Sequence, residues 1–133
     1  MANPMYGQNK ADKAVGSVWV TANAASATQP ALVISGANVA HAIAPFAAKV
    51  VGITYNLSVA TTDASSALTI DDGAGNVIDI VNIPVAAINT GGVLLIDDGD
   101  ADATVAAGES VSITSDGGCT AGAAVLTVQF ERI

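Results

Sequence analysis

In residues 124–131, Ala124, Leu126, Val128 and Phe130 stand at every second position, with Thr127, Gln129 and Glu131 between them. Only a pleated strand uses a period of two to separate core from water, because its successive side chains leave opposite faces. Val111 and Ile113 alternate with Ser110, Ser112 and Thr114 in the same way. Between these segments, Asp116-Gly117-Gly118 supplies residues that tolerate positive φ where a chain reverses. The pattern predicts a closing hairpin over 108–133, and this pair of strands anchors the expected fold.

A third segment repeats the signal: Val51, Ile53, Tyr55, Leu57 and Val59 alternate with Gly52, Thr54, Asn56 and Ser58. Shorter strands are expected at 16–22, 31–35, 68–70, 77–83, 93–96 and 104–106. The run 23–30 reads as a small-residue linker. Pro84 ends the strand before it, since proline cannot donate to a ladder. Alanine content would allow a helix over 39–48, but Pro45 in its interior would cost about 3 kcal/mol, so extended or irregular chain is expected there. Short strands at regular spacing with Gly/Asp/Ser turns and no amphipathic helix predict an all-β fold. We expect an antiparallel β-sandwich of jelly-roll type with about eight strands over 15–133, preceded by an extended N-terminal arm over 1–14. Leu68 to Gly73 and Leu94 to Gly99 are nearly the same hexapeptide, read as two similar strand-to-turn junctions.

The 133 residues suit one domain with a single core. Two Phe, two Tyr and one Trp leave that core to Val, Ile, Leu and Ala. The formal charge of −8 argues against the basic footprint that sequence-independent nucleic-acid binding requires. Lys10, Asp12 and Lys13 give residues 1–14 a charge of +1, so a slightly basic arm precedes an acidic body. A single cysteine, Cys119, allows no intrachain disulfide and suits a reducing compartment. The N-terminus lacks an apolar signal core, and no run of about 18 apolar residues occurs; neither a signal peptide nor a membrane partner is expected.

No catalytic motif is legible. The one histidine, His41, lies among small apolar residues, and a lone histidine in such a run is read as structural. Phosphate-binding glycine loops, paired histidines and a nucleophile elbow are missing, so neither an enzyme nor a cofactor is expected. The acidic run at 97–102 holds the one grouping with metal chemistry. Counting Asp98 as first, Asp100 is third, Asp102 fifth and Glu109 twelfth, the spacing of a calcium loop. Ala103 stands where the turn glycine belongs, and strands rather than helices flank the run. The reading taken is a solvated acidic turn with no metal.

The opening Met1-Ala2-Asn3-Pro4-Met5-Tyr6-Gly7-Gln8-Asn9-Lys10-Ala11-Asp12 resembles the start of small virion proteins of tailed bacteriophages, marine ones in particular. The Asp-Gly-Ala-Gly-Asn-Val turn at 72–77 and the segment 107–118, followed by a terminal strand, resemble jelly-roll domains of phage head-decoration and fibre proteins. The resemblance implies a homotrimer of jelly rolls on the outer capsid surface, bound to the major capsid protein after synthesis in the bacterial cytoplasm. The arm is then the attachment or subunit-linking element, with Met5, Tyr6, Lys10, Lys13 and Trp19 as candidate contacts. A receptor- or glycan-binding head of a phage fibre is the alternative. Its weakness is the scatter of Tyr6, Trp19, Phe46, Tyr55 and Phe130, of which the two phenylalanines suit the core.

Overall fold

A computed structural model describes residues 17–21, 23–96 and 103–133. The described chain is built from strands β1 (Ser17–Val20), β2 (Ala24–Thr28), β3 (Leu32–Val33), β4 (Val39–Ile43), β5 (Ala48–Val59), β6 (Ser66–Asp71), β7 (Val77–Ile83), β8 (Gly91–Leu95), β9 (Thr104–Val105), β10 (Ser110–Ser115) and β11 (Ala123–Arg132). They form two antiparallel sheets. One has the order β1-β2-β11-β5-β8, with β3 beside β11 and β9 beside β5; the other has the order β4-β10-β6-β7.

Eight strands make the body, four in each layer: β2-β11-β5-β8 packs on β4-β10-β6-β7. The chain changes layer between β3 and β4, β4 and β5, β5 and β6, β7 and β8, β9 and β10, and β10 and β11. Among the eight only β6 and β7 form a hairpin. This doubled Greek-key winding is a jelly roll, as the strand spacing predicts.

The expected closing hairpin does not form. Strand β10 lies between β4 and β6, whereas β11 lies between β2 and β5 in the other layer. Their apolar rows meet as opposite walls of one core: Val111 and Ile113 from one sheet, Leu126, Val128 and Phe130 from the other, all buried. The turn chemistry at 116–122 serves an arch between sheets. Gly117, at φ 73°, has Gly36 backbone 3.1 Å from where a Cβ would stand, so both conformation and space favour glycine there. Cys119 lies buried under the arch with Sγ donating to the Ile34 carbonyl at 3.4 Å.

The expected linker at 23–30 is also corrected, because β2 occupies its centre. Ala25 and Ala27 face the core opposite Phe130 and Val128 of β11. The pairing supplies the ladder, and the small side chains leave room for the large ones beside them. Residues 39–48 hold extended and irregular chain as expected: β4, a bend through Pro45 at 44–47, and the first residue of β5. Phe46 is buried, with the Arg132 guanidinium 3.9 Å above its ring, a geometry that favours cation and ring alike. Thr61 fastens the β7–β8 connection: Oγ1 donates to the Pro84 carbonyl at 2.7 Å and accepts the Ala86 N–H at 2.7 Å.

Candidate functional site

The outer face of the four-stranded sheet brings one histidine, several hydroxyls and one carboxylate into register. His41 on β4 stands opposite Ser112 on β10, and Ser112 stands opposite Asp71 on β6. The order is wrong for nucleophilic catalysis, which needs the imidazole between hydroxyl and carboxylate; here the serine is in the middle. The contact His41 makes is with Ser110, its Nδ1 lying 3.3 Å from Oγ. His41 is exposed rather than enclosed, so nothing around it excludes water. Among the described residues no group of three or more His, Cys, Asp or Glu side chains is placed to hold a metal ion.

Glu109 has a structural task. Its Oε1 accepts the Gly73 N–H at 3.0 Å and its Oε2 accepts the Ala106 N–H at 2.7 Å, so one carboxylate ties the β6–β7 turn to the loop before β10. A Cβ at Gly73 would come within 2.6 Å of Glu109 Cγ, which is why the turn needs glycine there. The other members of the calcium pattern, Asp98, Asp100 and Asp102, lie outside the described residues, as do Met5, Tyr6, Lys10 and Lys13 of the arm. Trp19 lies on β1, with its backbone opposite Ser26 of β2.

Two further carboxylates hold turns, and periodicity alone did not single them out. Asp116 Oδ1 accepts the N–H groups of Gly118 at 2.8 Å and Ala67 at 3.0 Å, with Ser66 Oγ at 3.2 Å. Hydrogen bonding by the Gly118 N–H leads the causes that hold its carboxyl below the ordinary 3.8, with Ala67 and Ser66 adding to it. Asp72 accepts from the Asn76 side chain and from the N–H groups of Asn76 and Ala74, and the Asn76 side chain is the main cause of its lowered pKa. Aspartate followed two residues later by a small residue is the available sequence signal, since that spacing closes an Asx turn.

These shifts set a pH dependence. Both carboxyls bind protons less readily when folded than the ordinary 3.8 of the unfolded chain. Their stabilisation is therefore complete well above 3.8 and is lost as pH falls below it, through the lowered folded values. The urea midpoint should fall on acidification through that range, and the fall should be smaller in Asp116→Asn. An equal fall in the variant would show that Asp116 does not carry it.

The middle of the larger sheet's broad face carries short polar side chains, and Val93 and Leu95 of β8 stand exposed at its margin. Ser26 and Thr28 of β2, Thr127 and Gln129 of β11 and Thr54 of β5 lie in neighbouring cross-strand positions, and the Thr28 and Thr127 hydroxyls are 2.8 Å apart. Phe46, Tyr55 and Phe130 are all buried. Tyr55 covers Gly92, where a Cβ would meet its ring at 2.8 Å. Fold and surface together define a jelly-roll sandwich with a polar patch at the middle of its larger sheet and, among the described residues, no assembled catalytic group.

No family model and no curated protein matches the chain. Among solved structures, it is similar to the isomalto-dextranase of Arthrobacter globiformis T6 complexed with panose, at 19% identity and a TM-score of 0.35. The likeness covers 87% of this chain and 17% of the length of that one, and nothing about function follows from it. No helix among the described residues is long and apolar enough to cross a membrane.

Proposed function

We propose that this chain is a capsid-decoration protein of a tailed bacteriophage, binding the outer surface of the assembled head as a homotrimer and stabilising it through contacts with the major capsid protein. The observation that carries the reading is the patch of Ser26, Thr28, Thr54, Thr127 and Gln129 on the larger sheet, a run of short polar side chains in neighbouring cross-strand positions. Such a face suits docking on a protein lattice better than enclosing a small molecule, which calls for a concave, mostly apolar site. The resemblance of residues 1–12 to phage virion proteins points the same way. A fibre head that binds glycans would need rings to stack on sugars, and among the described aromatic side chains Phe46, Tyr55 and Phe130 are all buried.

A protein that binds only the assembled lattice stabilises it by mass action, by about 2.7 kcal/mol per site at a hundredfold excess over Kd. Heads lacking the protein should therefore melt at higher temperature once it is added back, with saturable density on their outer surface by electron microscopy. Unchanged melting, or label on the tail alone, would overturn the reading.

A further inference from the structure

Large apolar side chains are exposed at twelve described positions, and their distribution is uneven. Six fall within residues 77–95, on β7, β8 and the loop joining them; four fall within residues 20–43, on β1, β3 and β4. These are opposite sides of the sandwich. Strands β7 and β8 end their sheets on one side, and β1 and β4 end them on the other, where β2 and β4 touch. The two broad faces between these rims carry the hydroxyls described above.

Charge follows the same division. The sequence has no Asp, Glu, Lys or Arg from residue 14 to 48, and only Asp79 from 73 to 96, in a chain of net charge −8. An acidic protein meets its own copies with least repulsion along such neutral strips. Among the described residues, the rims are also free sheet edges. Proteins usually guard such edges with lysine, proline or covering elements, yet β4 and β8 contain neither lysine nor proline, and β7 has Asp79 alone. Leu95 on β8 is 77% exposed and Val93 63%, while Ile43 on β4 is 52% exposed and Val39 49%.

We infer that the β7–β8 rim of one protomer docks against the β1–β4 rim of a second copy of this chain, head to tail. Two different rims on opposite sides make a heterologous contact, which closes into a ring when the rotation allows. A ring leaves no rim uncovered and turns the polar faces outward. The ring's size rests on the trimer of the proposed function; the two rims do not.

The test uses the full chain in analytical ultracentrifugation, with Leu95→Lys breaking one rim and Ile43→Lys the other. The unmodified protein should sediment as a closed multimer, and each variant alone should lose it entirely and run as a monomer. An equimolar mixture of the two variants should regain one contact and stop at dimers, because each partner keeps the rim the other has lost. Val93→Lys and Val39→Lys serve as a second pair, and circular dichroism checks that all four are folded. A monomeric parent protein, a folded variant that keeps the multimer, or a mixture that stays monomeric would each overturn the inference. Adding the same proteins to heads separates it from the proposed function: a monomer that decorates heads sinks the ring alone, and a multimer that ignores them sinks decoration alone.

Discussion

Replacing Phe130 with alanine should lower the unfolding free energy by about 3–5 kcal/mol, the cost of emptying a large buried aromatic site that its surroundings cannot refill. Phe130 is 1% exposed on the central strand of the larger sheet, with Ala25 of β2 and Val50 of β5 as cross-strand neighbours. Two alanines and a glycine nearby on β2 and β5 cannot swing inward to fill the space. An ordinary domain has only about 5–15 kcal/mol in total, so the variant should unfold at a much lower urea concentration. Gln129→Ala, one residue away on the polar face, should change stability by only about 0.5 kcal/mol. Similar losses in both, read from urea titrations followed by circular dichroism, would mean the alternation along β11 does not divide core from surface.

Deletion of residues 1–14 should abolish binding to heads while leaving the sandwich folded. The buried apolar residues of the described structure run from Ala25 to Phe130, so the deletion removes none of them. The melting temperature should stay within a few degrees of the full chain, since a change below about 0.5 kcal/mol moves it little. Co-sedimentation with heads reads the loss of binding. Truncated protein that still decorates heads would take Met5, Tyr6, Lys10 and Lys13 out of the mechanism and leave attachment to the folded body.

Much of the sandwich was legible because its long strands obey a period of two. Strands β5 and β11 show it without interruption over most of their length, and both lie at the centre of the larger sheet, where one face must be apolar. Strand β2 escaped detection because Ala, Ser and Thr carry almost no hydrophobic contrast. It is a strand because β1 and β11 hydrogen-bond to both its edges. The roles of Glu109 and Asp116 were hidden for a related reason, since their partners Gly73 and Ala67 are distant in sequence.

The two alternating segments around Asp116-Gly117-Gly118 are strands, as their period predicts, but they are not each other's partners. Period and turn residues determine that β10 and β11 are extended and which side chains of each are buried. They do not determine the partner, because a hairpin turn and an arch between sheets draw on the same glycines and aspartates. The tertiary structure decides it: β10 finds β4 and β6, β11 finds β2 and β5, and the apolar rows of the two strands close on each other from opposite layers. The same assembly of edges gathers the exposed apolar residues into two rims, since which strands end a sheet is a property of the whole topology.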